Sequence, residues 1–162
     1  MPPAKDNNNY LNFLATHDGI GIRPLEGIIN SKDINILLNT LKKFGSKFTY
    51  RKDANNKKVV YEANISLFDA LSGTIKGKDN YSYHRFYCAH AIMLSFEGIP
   101  GFYIHSLFGT RNNLNLLRKT GINRSINRSK YDYKYVTEML KNRNTHVSKV
   151  FTNIINLIQI RK

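Results

Sequence analysis

The chain has 162 residues, 41% of them apolar, which is about one domain with a core of its own. Its 25 basic and 11 acidic side chains leave a formal charge of +14, which points to an acidic partner: nucleic acid, membrane headgroups, or a small phosphorylated or carboxylate substrate. The basic residues are scattered as pairs such as Lys42-Lys43, Lys57-Lys58 and Arg118-Lys119, so the charge reads mostly as solvated surface and nucleic acid is not expected as a partner.

In chain order, Met1 to Asn9 reads as a disordered lead-in. In YLNFLATHDGIGIRPLEG, Tyr10 to Gly27, an apolar run (Leu11, Phe13, Leu14) stops at His17-Asp18 and gives way to Gly19, Gly21 and Gly27. This predicts a buried strand, Tyr10 to Ala15, that delivers His17 and Asp18 to a rim, where α/β folds place their chemistry. The plain alternative is an Asp-Gly turn, with Asp18 bonding its own backbone. Ser31 to Phe44 reads as a helix capped by Ser31, with Ile34, Leu37, Leu38, Leu41 and Phe44 as its buried face and Gly45 as its stop. Lys47 to Arg51 and Lys58 to Glu62 read as a hairpin joined by Asp53-Ala54-Asn55-Asn56. ANISLFDALSGTIKGKDN, from Ala63, is expected to be loop-like.

Tyr81 to Phe96 reads as a helix whose distal half is apolar almost all round and should be buried on most sides. Cys88 lies in it and is expected to be a small buried hydrophobe. Gly101 to Phe108 reads as a second core strand, ending near His105. Gly109 to Arg128 is expected to be a loop. Asp132 should cap a helix running through Leu140. Thr145 should cap a last helix with Val147, Val150, Phe151, Ile154, Ile155 and Ile158 on one face.

Alternating strands and helices imply an α/β class with parallel pairing. Two core strands cannot close a barrel or bury both faces of a sheet, so the chain is expected to be a piece of something larger or an obligate partner. Its single cysteine rules out an internal disulfide and a cysteine metal cluster. The polar start lacks a signal-peptide core, and no apolar run approaches the ~20 residues that cross a bilayer. A cytoplasmic protein without a membrane partner is expected.

Taken together, NFLATHDGIGIRPLEG, NISLFDALSG, EGIPGFYIHSLFGTRNN and RKTGINRSINR resemble the sucrose-phosphorylase branch of the α-amylase superfamily. Within it they resemble the glucosylglycerate-phosphorylase-like sugar phosphorylases. The resemblance runs from about Tyr10 to the end. It implies a (β/α)8 TIM barrel of which residues 1–162 would be roughly the last quarter. The chain would start just before the seventh strand, carry a hairpin insertion, hold the eighth strand at Phe102 to His105, and end in the last barrel helix. The first six strands and a C-terminal β domain would be missing, leaving an incomplete barrel.

The resemblance implies transfer of a glucosyl group, with retention, from a small glucoside to inorganic phosphate, with no metal and no further cofactor. Such a site needs two carboxylates ~5 Å apart. By the resemblance, both come from earlier strands. Asp18 would be the third carboxylate, holding sugar hydroxyls and stabilising the oxocarbenium-like transition state. His17 would bind the sugar. Arg124 would close the pocket by pairing with a carboxylate outside this chain, the plain alternative being a surface cation. Ser66 and Asp69 match a mobile acceptor-site loop but differ from its sucrose-specific form; Asp69 capping a turn is the plain alternative. His105 would face the same rim, or be a satisfied core histidine. Two other functions stay open: another hydrolase or transglycosylase of the superfamily, and a basic non-enzymatic binding module. The isolated chain is expected to be inactive and poorly soluble.

Overall fold

The computed structural model describes residues 3–161. Met1 and Pro2 of the expected lead-in lie outside the described residues. The rest of it holds a turn in which the Asn8 N–H donates to the Lys5 carbonyl at 3.0 Å. The first strand, β1 (Leu11–Asn12), is shorter than expected. Its apolar run is not buried: Leu11 and Phe13 are 64% and 53% exposed, and burial begins only at Ala15. Among the described residues, β1 pairs with one strand alone, and the face that carries Leu11 and Phe13 is left open.

β2 (Ile20–Gly21) follows a tight turn. Arg23–Leu25 then form one 3-10 turn before α1 (Ser31–Lys43). The cap of α1 is Asn30, not Ser31: Asn30 Oδ1 accepts the Asp33 N–H at 2.9 Å, and its amide donates to the Asp33 carboxylate at 2.8 Å. Leu41 and Phe44 are buried as expected, but Leu37 is 36% exposed. A single small sheet receives α1, so its buried stripe is narrower than its apolar one.

That sheet is the expected hairpin, β3 (Lys47–Lys52) and β4 (Lys58–Asn64), with β2 added antiparallel on the far edge of β4. Asp53 at the tip accepts the N–H groups of Asn55 and Lys57, both at 2.9 Å. The register runs Thr49 opposite Glu62 and Tyr50 opposite Val60, so Tyr61 is the extra residue of a β-bulge. The bulge resets the alternation of β4. Val60, Ala63 and Ile65 join Ile22, Leu41 and Phe44 in the core under α1. Glu62 and Asn64 turn to the other face.

The segment from Ala63 is not loop-like. It forms α2 (Leu67–Ala70), capped by Ser66, and then a tight hairpin of β5 (Gly73–Thr74) and β6 (Gly77–Lys78). All four residues of α2 are buried. Phe68 joins Ala15, Leu67, Phe86, Val150 and Ile154 in the second core cluster.

In α3 (Ser82–Ser95), Phe86, His90, Met93 and Leu94 are buried. The expectation of burial on most sides fails at Ile92 and Phe96, which are 53% and 46% exposed, and Cys88 is exposed too. The helix packs one stripe on α2 and on α7 (His146–Arg161), and the opposite stripe is open.

The second core strand lies earlier than expected. β7 (Ile99–Pro100) pairs parallel with β1, and the ladder closes where the Gly101 N–H donates to the Asn12 carbonyl at 2.7 Å. Beyond that point β1 offers no further partner. The apolar run from Phe102 coils instead into α4 (Ile104–Leu107), which contains His105. The expected loop from Gly109 contains α5 (Leu114–Thr120), capped by Asn113 and ended by Gly121 at φ +66°, and a 3-10 segment, Asn123–Asn127. Asp132 caps α6 (Tyr133–Lys141) and Thr145 accepts the Ser148 N–H at the start of α7, both as the sequence predicts.

Candidate functional site

The strand β1 hands its chain to a two-residue turn. Thr16 and Gly19 exchange both backbone hydrogen bonds, at 2.9 and 3.1 Å, and leave His17 and Asp18 at the corner. Gly19 has φ +122°, and a Cβ there would lie 2.2 Å from the Ala63 carbonyl oxygen, so this position admits only glycine. Two asparagines fix the turn from opposite sides. Asn64 donates to the Asp18 carbonyl at 2.8 Å, and Asn127 donates to the Thr16 carbonyl at 2.9 Å. Both are essentially buried.

The Asp18 carboxylate is the centre of a charged cluster. Arg128 Nη2 lies 2.5 Å from its Oδ1, His17 Nε2 lies 3.3 Å from it, and Arg124 Nε lies 3.4 Å from it. Arg128 also donates from Nε to the His17 carbonyl at 3.2 Å. Arg124 donates to Glu62 through Nε at 3.2 Å and through Nη2 at 3.0 Å. Two carboxylates thus face two guanidiniums. The Asp18 side chain is 20% exposed and that of His17 is 64% exposed, so the cluster opens to solvent. The plain Asp-Gly reading is half right: the turn exists, but its carboxylate is held by side chains more than a hundred residues away.

One expectation is corrected. Arg124 finds its carboxylate partners, Glu62 and Asp18, within this chain and not beyond it. The bulge in β4 explains this, because it aims Glu62 across the polar face at the 3-10 segment that carries Arg124.

His105 is buried behind this cluster. Its Nδ1 is hydrogen-bonded with the Thr110 hydroxyl at 3.0 Å, and its ring meets Tyr103 and Tyr131 edge-on. Burial pulls its pKa below the ordinary value. Tyr103 links it to the cluster: its hydroxyl donates to the Asn127 carbonyl at 2.8 Å, and its pKa is raised mainly by burial, with Arg128 and Asp18 close enough to act on it.

Ser66 and Asp69 lie in a second cluster. The Ser66 hydroxyl caps α2, and its N–H donates to Asn112 at 2.8 Å. The Asp69 carboxylate accepts the Asn112 N–H at 2.7 Å and pairs with Arg111 at 3.4 Å. The Arg111 guanidinium lies 4.9 Å over the Phe68 ring. His146 packs edge-on against the same ring, accepts from the Tyr83 hydroxyl at 2.6 Å and donates to the Gly109 carbonyl at 2.7 Å.

Sequence reasoning missed Glu62, Asn64, Asn127 and Arg128. Arg128 had a signal: Asn-Arg occurs twice in GINRSINR, four residues apart. Glu62 had none, because a bulge cannot be read from alternation. A cavity of about 460 Å3 lies elsewhere, between α1 and the β3–β4 hairpin, lined in part by Ile22, Leu38, Tyr50 and the Arg51–Glu26 ion pair. Among the described residues, no group of three or more His, Cys, Asp or Glu could hold a metal ion, and no helix is long and apolar enough to cross a membrane.

No protein-family model matches this chain. Individual relatives do. The chain is 38% identical over 156 residues to a glucosylglycerate phosphorylase of Escherichia coli K12, a match that covers 96% of this chain and 28% of that protein. It is 30% identical over 145 residues to a sucrose phosphorylase of Bifidobacterium adolescentis, covering 83% of this chain and 27% of the other. The crystal structure of sucrose 6F-phosphate phosphorylase from Thermoanaerobacter thermosaccharolyticum superimposes with a TM-score of 0.76 at 25% identity, over 93% of this chain and 29% of that one. The chain therefore has the α/β arrangement of a part of that barrel enzyme. It spans about 28% of the length of the curated relatives it matches.

Proposed function

We propose that this chain, related along nearly all of its length to glucosylglycerate and sucrose phosphorylases, forms the seventh and eighth strands of a (β/α)8 barrel and one wall of its glucosyl pocket. The barrel would be completed by polypeptide corresponding to the remainder of those relatives. The reaction is retaining transfer of a glucosyl group from a small glucoside, of the glucosylglycerate or sucrose type, to inorganic phosphate in the cytoplasm, with no other cofactor. The nucleophile and the acid/base come from the completing polypeptide. Asp18 contributes charge: a carboxylate fixed beside the sugar ring forms hydrogen bonds that tighten as the ring becomes cationic. His17, exposed at the same corner, reaches the sugar. Arg124 and Arg128 orient the Asp18 carboxylate. Ser66 and Asp69 belong to the acceptor-side loop, and His105, buried behind the Asp18 cluster, backs the same rim.

The observation that carries this reading is the seating of Asp18. It stands just beyond the end of a strand in a parallel pair, on a turn that only glycine permits, with guanidiniums holding one side of the carboxylate and solvent on the other. The test is a chimaera in which this chain replaces the matching segment of the E. coli glucosylglycerate phosphorylase. Release of glucose 1-phosphate from glucosylglycerate and phosphate is expected. Release of glucose alone would indicate a hydrolase, and a folded chimaera with neither activity would refute the assignment.

A further inference from the structure

Glu62 belongs to none of the sequence motifs, yet it holds more of Arg124 than Asp18 does. Arg124 spans both Glu62 oxygens with hydrogen bonds of 3.0 to 3.2 Å, while its approach to Asp18 is 3.4 Å. The Glu62 side chain is 10% exposed, and the β4 bulge decides which face it takes. A forked guanidinium gripped by one carboxylate at two nitrogens loses its freedom to swing toward another. The same hydrogen bonds are the leading reason that Arg124 holds its proton more tightly than an ordinary arginine. Arg128, at 2.5 Å, is then the close partner of Asp18.

We propose that Glu62 is a positioning residue that keeps the Arg124 guanidinium beside the Asp18 carboxylate and not upon it. The consequence rests on the glucosyl-pocket reading. A carboxylate has about four acceptor sites. With Arg128 alone bound closely, Asp18 keeps capacity for ligand hydroxyls. With both guanidiniums drawn onto it, that capacity is lost.

The test is carbon-detected carboxyl NMR of the full chain at neutral pH. Glu62→Gln keeps the shape and removes the charge. The Asp18 carboxyl resonance is expected to move as Arg124 turns onto it, and adding Arg124→Gln to the same chain is expected to reverse the movement. An unmoved Asp18 resonance beside a native amide spectrum would overturn the proposal. Should Glu62→Gln fail to fold, Arg124→Lys in the otherwise native chain decides, because an ammonium cannot fork. The Glu62 resonance is expected to move more than that of Asp18, and the opposite order overturns the proposal. In the chimaera, Glu62→Gln is expected to lower kcat by up to about a hundredfold, the scale of a misplaced group, with KM less affected and Glu62→Asp recovering part of the loss. An unchanged kcat would overturn the catalytic consequence. If the chimaera with Glu62 intact is inactive, the pocket reading fails, and the NMR result still decides the role of Glu62.

Discussion

At the scale of single residues, the seating of Asp18 depends on neighbours from two distant parts of the chain, β4 and the segment from Arg124 to Arg128. Asn64 is fully buried, donates to the Asp18 carbonyl, and accepts from the Thr49 hydroxyl at 2.9 Å. Asn64→Ala would leave both partners unmatched. A loss of about 2 kcal/mol in unfolding free energy is expected from urea titration. Histidines set the response to acid. Burial is the leading cause that lowers the pKa of His90, His105 and His146 from the ordinary 6.5. A histidine whose pKa falls on folding binds fewer protons when folded than when unfolded. Its contribution is therefore fully present above pH 6.5 and is lost as pH drops from there through the lowered values. The urea midpoint should fall between neutral pH and about pH 5, and His146→Gln should flatten part of that slope. A midpoint that rises on acidification would contradict this. Residues at the two ends of the site differ in how openly the sequence carries them. His17-Asp18 announce themselves where an apolar run breaks, and Arg124 by its place in GINRSINR. Glu62 and Asn64 lie in a strand whose alternation is reset by one extra residue, so nothing local marks the face they take.

At the scale of elements, the turn after β1 is the part with least tolerance. Gly19→Ala forces a side chain into the Ala63 carbonyl at a φ that L residues rarely adopt. A cost of about 2 kcal/mol or more is expected, together with loss of the Asp18–Arg128 contact. Chemical denaturation and the Arg128 side-chain NMR signal would read both, and native stability in the variant would contradict the assigned geometry. Capping was legible where the capping side chain immediately precedes a periodic run, as with Asp132 and Thr145. It was displaced by one residue at α1, because Asn30 makes a reciprocal pair with Asp33 that Ser31 does not make. The strand expected from Gly101 to Phe108 shows the limit of short apolar runs. Such a run suits a strand or a buried helical turn equally, and the partner decides. β1 supports pairing only as far as Gly101, and α4 takes over.

At the scale of the molecule, the two core clusters account for the helices that pack on each other and on the β2–β4–β3 sheet, but one face is left without cover. Leu11, Phe13 and Leu14 of the first strand region line an open groove of about 280 Å3 with Ile92 and Met93 of α3 and Phe96 just after it. Leu11, Phe13, Ile92 and Phe96 are each 46% to 64% exposed. Contiguous apolar surface of this kind drives association. The isolated chain is expected to self-associate in sedimentation velocity experiments, and Leu11→Lys with Ile92→Lys is expected to shift it toward monomer. A monodisperse wild-type monomer would contradict this expectation. The need for such cover was legible in the sequence, since two strands cannot bury this many apolar helix faces. Where the cover lies was not, because it depends on which stripe of α3 meets α7. The central claim is that Asp18 stabilises the charge that develops on a glucosyl group. The most direct measurement is the rate of glucose 1-phosphate release by the chimaera with and without Asp18→Asn. A fall of about a hundredfold or more in kcat, with the fold intact, is the predicted result. Equal rates would contradict the account.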